Sequence, residues 1–199
     1  EAALIKARSD FIWNLKSFFP LSFAFDRNFI RDFQDRMSFS YQVYRLLSGG
    51  LFFPALAPFY LYSRLTGKFK EGFSQRIGRY SGDVIRRGGR RPRIWIHAVS
   101  VGEVRAAVTI RRTVKTLLPR SSVILSTTTD TGQTLAREAS APDDPCIYAP
   151  VDAPFAVGGA LRAFRPDLLA VCETEIWPNW LMQAREAGIR AALVNGRIS

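Results

Sequence analysis

IWIHAVSVGE, residues 94–103, sets five strand-compatible residues directly against the start of a helix. Its first half is an almost unbroken apolar run, the pattern of a strand buried on both faces. Its second half holds Ser100 and Glu103 at the S-x-x-E spacing of a capping box. The same alternation recurs toward the C-terminus. Strands are predicted over 94–98, 123–127 (VILST), 146–149 (CIYA), 168–172 (LLAVC) and 191–195 (AALVN). Helices are predicted over 102–118, 132–138, 156–164 and 180–187. Near-continuous apolar strands joined by helices imply an α/β fold with a parallel sheet covered on both faces. In such sheets ligands bind beyond the carboxyl ends of the strands, and every polar cluster of this half of the chain falls there.

The composition narrows the function. With 199 residues, 47% hydrophobic and 13% aromatic, the chain is too apolar for a disordered tail and long enough for one full core. Its two cysteines, Cys146 and Cys172, exclude a disulfide-stapled scaffold, and no C-x-x-C pair with nearby histidines suggests structural zinc. Sparse cysteine suits a reducing cytoplasm. A Ser-His-Asp or Cys-His triad would depend wholly on His97, the single histidine. A lone histidine at a strand end is expected to be a satisfied core residue.

Charge is unevenly placed. Ten Lys and Arg against Glu71 and Asp83 give residues 63–93 a charge of +8 out of a total of +11. Directly before them, residues 46–62 (LLSGGLFFPALAPFYLY) carry no charge. An apolar segment followed by a basic one is expected to hold an anionic membrane face, each basic residue gaining about 1 kcal/mol near acidic lipid. The segment is short for a span of about 20 residues, and Pro54 and Pro58 would kink it, which favours lying in the interface. The basic residues after it would hold the α/β half of the chain in the cytoplasm. A nucleic-acid reading of the arginines is disfavoured, because RRGGRRPR (86–93) is a short lead into a strand and no nucleic-acid motif accompanies it. Residues 1–36 read as an extension with short amphipathic helices, 37–62 as the apolar anchor, 63–93 as a basic linker and 94–199 as the α/β domain. Met37 is expected to open the functional domain. The chain stops after NGRIS (195–199), where another helix would be expected, so the reading is of a fragment.

Five clusters sit at strand ends. In the first, Ser100 and Glu103 cap a helix, or Gly102 admits a ligand to the helix N-terminus while Glu103 acts as a base toward a sugar hydroxyl. The second, STTTDTG (126–132), caps a helix or binds phosphate or sugar hydroxyls through Thr128 and Thr129. In the third, PVDAP (150–154), Asp152 reads as structural. The fourth, ETEIWPN (173–179), places Glu173 and Glu175 beside Trp177 and Pro178, and a helix start explains only one of them. The fifth is NGRIS.

WIHAVSVGE, STTTDTG, PVDAP, ETEIWPN and NGRIS, in that order, resemble the N-terminal half of the 3-deoxy-D-manno-octulosonic acid (Kdo) transferase family. The resemblance covers residues 37–199 and implies a GT-B enzyme with two Rossmann-like domains, this chain holding the acceptor-side one and lacking the donor domain. It implies inverting transfer of Kdo from CMP-Kdo to a lipid A precursor at the cytoplasmic face of the inner membrane, with no cofactor and no metal. Matched residue by residue, the resemblance makes Glu103 the general base and Glu173 a second catalytic residue. Ser100, Gly102, Thr128 and Thr129 become candidate substrate contacts, while Glu175 and Arg197 receive no role. The alternatives are another membrane-associated GT-B enzyme using a UDP-sugar, or a non-catalytic peripheral membrane module whose carboxylates are helix caps.

Overall fold

The computed structural model describes residues 27–50, 71–172 and 177–194 together with positions 54, 58, 60–62, 64 and 65, with side chains from residue 39 onward. The elements in chain order are α1 (Arg27–Gly50), α2 (Phe73–Arg76), α3 (Gly82–Arg87), β1 (Arg93–Ala98), α4 (Val101–Leu117), β2 (Ser122–Thr127), α5 (Asp130–Ala139), β3 (Cys146–Tyr148), α6 (Pro154–Phe164), β4 (Leu168–Cys172), α7 (Pro178–Glu186) and β5 (Arg190–Val194). The five strands form one parallel sheet in the order β3-β2-β1-β4-β5. The predicted α/β parallel sheet is therefore present, each strand within a residue of its expected limits at either end. Helices α6 and α7 begin two residues earlier than the apolar periodicity suggests. Pro154 and Pro178 supply a preset φ at the first helical position, where no N–H is needed.

Alternation along β1 divides the core. Ile94, Ile96 and Ala98 face α4 and α5 and pack with Val104, Ala107, Ile110, Val114 and Ala136. Trp95 points the other way, against α6 and α7, where it meets Phe164 and Trp180 edge to face at 5.6 and 5.1 Å.

From Glu71 on, the stretch expected as a basic linker is folded against the sheet. β3 is an edge strand, and this segment covers it. The Tyr148 N–H donates to Gln75 Oε1 at 2.7 Å, and the Tyr80 hydroxyl donates to the Tyr148 carbonyl at 3.4 Å. The segment passes so close to α6 that a Cβ on Gly78, which has φ of 80°, would stand 2.3 Å from the Ala156 carbonyl oxygen. Arg76 is buried and donates to the Thr128 carbonyl at 2.8 Å while its guanidinium lies 4.5 Å from the Tyr148 ring centre.

The arginines just before β1 are also engaged. Arg90 pairs with Asp143 at 3.3 Å and Arg91 with Asp167 at 2.6 Å, and Arg93 donates to the Phe164 carbonyl at 3.0 Å. They lie at the amino ends of the strands, the rim opposite the polar clusters. On that same rim Asp144 is buried, held by Arg111, Lys115 and the Val123 N–H at 2.8–3.0 Å.

Helix α1 runs without a break through residues 36 and 37, the expected limit between extension and anchor. Its described side chains are arranged inside out. Tyr41, Tyr44 and Ser48, spaced by one turn, hydrogen-bond to the domain. Phe39, Val43, Leu46 and Leu47 point outward, Phe39 being 83% exposed and Leu46 75%. Among the described residues no helix is long and apolar enough to cross a membrane. Within the expected anchor segment, positions 51–53, 55–57 and 59 lie outside the described residues.

Candidate active site

The sheet order reverses between β1 and β4. The chain steps outward from β1 to β2 and β3, then returns to the far side of β1 for β4 and β5. A crevice at the carboxyl ends of the two strands flanking such a switch point is where open α/β sheets bind ligands. β1 leads into Val99, Ser100 and Glu103, and β4 leads into residues 173–176.

At the β1 end the capping box is formed. Ser100 Oγ accepts from the Glu103 N–H at 3.2 Å. The Glu103 carboxylate reaches back to accept from the Ser100 N–H at 3.1 Å on Oε1 and from the Val99 N–H at 2.9 Å on Oε2. These bonds fix the carboxylate at the helix N-terminus, where the helix dipole favours negative charge. Glu103 itself is only 5% exposed, but Ser100 and Gly102 beside it are open to solvent. A Cβ added to Gly102 would meet nothing nearer than Ser100 Oγ at 3.8 Å, so the helix start is clear on that side. Each carboxylate oxygen keeps a lone pair beyond its backbone partner, enough to take a proton.

Helix α5 begins next to α4. Thr129 Oγ1 caps it by accepting from the Gly132 N–H at 3.1 Å. Gly132 is pressed between the helices: a Cβ there would stand 3.4 Å from Val104 Cγ2 and 2.9 Å from Thr129 Oγ1. Ser100, Gly102, Glu103, Thr128 and Thr129 therefore lie along one end of the sheet, at the starts of two packed helices. Thr129 spends its hydroxyl oxygen on the cap, and Thr128 offers its carbonyl to Arg76. Glu173, Glu175 and Arg197 lie outside the described residues.

His97 occupies the inner wall of this end. It is 2% exposed, stacks on Trp180 with ring centres 4.8 Å apart, and shares the Ser126 hydroxyl with Trp95. The Trp95 indole N–H, a donor only, gives its hydrogen to Ser126 Oγ at 2.7 Å. His97 Nδ1 lies 3.0 Å from the same hydroxyl, a hydrogen bond that either neutral tautomer of the ring can make. Burial pushes the imidazole pKa down to about 4, against the opposing pull of Ser126 and Glu103, so it is neutral at pH 7. His97 is the satisfied core histidine expected from the sequence.

Sequence reasoning undervalued one cluster. Asp152 is buried, and the Tyr44 hydroxyl donates to its Oδ2 at 2.6 Å. Burial raises the Asp152 carboxyl above its ordinary value, with the hydrogen bonds from Tyr44, Asn179 and Trp180 opposing. Asn179, fully buried, donates through Nδ2 to the Asp152 carbonyl at 2.7 Å. No local spacing rule could have paired Tyr44 with Asp152 across 108 residues. Among the described residues, no group of three His, Cys, Asp or Glu is placed to hold a metal ion.

The profile of the family described as 3-Deoxy-D-manno-octulosonic-acid transferase (kdotransferase) matches residues 71–199, the segment that begins where the edge of β3 is covered. The chain is 35% identical over 106 residues to the 3-deoxy-D-manno-octulosonic acid transferase of Haemophilus influenzae, covering 53% of this chain and 25% of that protein. It is 31% identical over 164 residues to a probable mitochondrial 3-deoxy-D-manno-octulosonic acid transferase of Arabidopsis thaliana, covering 81% of this chain and 35% of that protein. A bifunctional glycosyltransferase/methyltransferase of Fusobacterium nucleatum is 34% identical over 108 residues, covering 53% of this chain and 17% of that protein. The chain thus spans about a third or less of the length of these relatives. With the ordered motifs, the parallel sheet and the family match in agreement, the chain belongs to the 3-deoxy-D-manno-octulosonic-acid transferase family.

Proposed function

We propose that this chain is the acceptor-side, Rossmann-like half of an inverting GT-B glycosyltransferase that moves Kdo from CMP-Kdo to a lipid A precursor. One observation carries the reading. The Glu103 carboxylate is fixed by two backbone N–H groups beside the β1/β4 switch point, with open space next to Gly102. In the proposed reaction the acceptor hydroxyl oxygen forms a bond to the anomeric carbon of Kdo as the bond from that carbon to the CMP phosphate oxygen breaks. CMP leaves with the bonding pair, and Glu103 receives the hydroxyl proton. The displacement passes through an oxocarbenium-like state, for which CMP is already a good leaving group. Ser100, Gly102, Thr128 and Thr129 border the acceptor, and Glu173 at the end of β4 is the second catalytic candidate. The CMP-Kdo site belongs to a donor-side domain, in keeping with the greater length of the relatives.

The same reading places the protein at the cytoplasmic face of the inner membrane. Its support is the outward apolar stripe of α1 together with the exposed Tyr60, Leu61, Tyr62 and Leu65. Arg90 and Arg91 on the amino rim of the sheet are held by Asp143 and Asp167, so the exposed basic residues offered to anionic lipid include Arg64, next to the apolar segment, with Arg79 and Arg87. Mass spectrometry of a lipid A precursor incubated with CMP-Kdo and the full-length protein tests the reaction. A mass increase of one or more Kdo units is expected, and no increase with a folded protein overturns it. The capping box favours a second reading, in which Glu103 is a helix cap in a non-catalytic module. Replacing Glu103 separates the two.

A further inference from the structure

Helix α7 begins without a cap of its own. Its N-cap residue is Trp177, which offers no side-chain acceptor, and Pro178 follows. The first N–H groups of a helix need acceptors, and here Asp152 provides them from another loop. The Asn179 N–H donates to Asp152 Oδ2 at 3.4 Å. The Asn179 side chain closes the pair by donating to the Asp152 carbonyl at 2.7 Å.

Helix α1 ends on the same two residues. The Tyr44 hydroxyl donates to Asp152 Oδ2 at 2.6 Å, the Tyr41 hydroxyl to Asn179 Oδ1 at 3.4 Å, and Asn179 Nδ2 to Ser48 Oγ at 3.1 Å. These side chains are separated by more than 100 residues in the chain, so the contacts exist only when α1 is seated on the domain. Asn179 is fully buried and Asp152 9% exposed, which removes water as a substitute partner. Trp180, one residue on, stacks on His97 in the wall of the β1/β4 crevice.

We propose that Asp152 is a positioning residue for the transfer reaction, making the seating of α1 a condition for the placement of the α7 N-terminus beside the crevice. The inference rests on the transferase reading for its catalytic part and on hydrogen bonding alone for the coupling. When α1 lifts, Asp152 loses Tyr44 and Asn179 loses Tyr41 and Ser48, and the start of α7 is left with fewer fixed partners. The apolar stripe on the far side of α1 makes a lipid surface the influence that this arrangement would transmit.

The test uses the full-length protein with Tyr44→Phe, which removes one oxygen, and Asp152→Ala, which removes the acceptor shared by Tyr44 and Asn179. Amide hydrogen exchange and steady-state transfer are read together, well below both melting temperatures. In Tyr44→Phe, exchange at Asn179 and Trp180 is expected to quicken roughly tenfold, with α5 unchanged. The same variant is expected to lower kcat while leaving the acceptor KM within about twofold, the pattern of a group acting through others. Asp152→Ala is expected to do more of both. Unchanged exchange in Tyr44→Phe overturns the coupling, and faster exchange with unchanged kcat reduces Asp152 to a structural cap. If the unsubstituted protein transfers nothing, the functional reading and the catalytic part of the inference fail together, and the exchange result alone decides whether α1 and α7 are coupled.

Discussion

Ser100 and Glu103 cap each other: the serine hydroxyl accepts the Glu103 N–H at 3.2 Å, and the Glu103 carboxylate accepts the Ser100 N–H at 3.1 Å. Only half of that exchange depends on the Ser100 side chain, because the carboxylate bonds to backbone. Ser100→Ala is therefore expected to cost about 1 kcal/mol of stability in thermal or denaturant unfolding, leaving Glu103 in place. A loss several times larger would mean that the hydroxyl also orders the loop after β1.

Gly102→Ala separates binding from folding. An added methyl group meets nothing closer than 3.8 Å, and alanine favours a helix over glycine by up to about 1 kcal/mol. The variant should melt at the same temperature or higher. It should nonetheless lose transfer by about tenfold or more, since a methyl group would then occupy the approach to the carboxylate. Full activity in this variant would place the acceptor elsewhere.

His97 should give the fold an acid-sensitive part to its stability. The imidazole titrates near 6.5 when unfolded and is pushed to about 4 when folded, chiefly by burial. Its contribution is complete above pH 6.5 and is lost as pH falls toward 4, because the unfolded chain binds the proton first. The loss is about 3 kcal/mol over that window. Comparing unfolding of the native protein and His97→Gln at pH 7, 5.5 and 4 checks this: the variant should lack that portion of the slope.

Asp144 should be the most costly carboxylate to remove on the amino rim. It holds Arg111 at 2.9 Å and Lys115 at 2.8 Å and accepts the Val123 N–H, and Arg111 is itself buried. Asp144→Ala takes the carboxylate from that guanidinium, which keeps the Ala139 carbonyl, and costs about 3–5 kcal/mol. Unfolding in urea should show it as a lower midpoint, while a variant of the exposed Asp83 should change little.

The parts of this fold that a local pattern controls were legible in the sequence. Each strand announced itself by an apolar run, and the capping box by the spacing of Ser100 and Glu103. The starts of α6 and α7 were hidden because Pro154 and Pro178 begin helices without joining the apolar stripe. The burial of Arg76 was hidden as well, since its partners Thr128 and Tyr148 lie 52 and 72 positions away and only the covering of an edge strand brings them together. The role of Asp152 as the cap of α7 is of the same kind. Reading charge by segment also merged arginines that the fold separates, those before β1 lying at the far rim from the site.

Glu103 is proposed to take a proton in glycosyl transfer as well as to cap a helix. Glu103→Gln tests this directly, because glutamine retains the shape and an oxygen for one of the two backbone N–H groups while losing the carboxylate as a base. Kdo transfer to a lipid A precursor would be measured by mass spectrometry for the full-length protein and this variant, with their melting temperatures compared. A modestly lower melting point, from one lost backbone hydrogen bond worth about 1 kcal/mol, and a rate lower by about 10²–10⁴-fold are expected. Equal rates in two equally folded proteins would contradict that role.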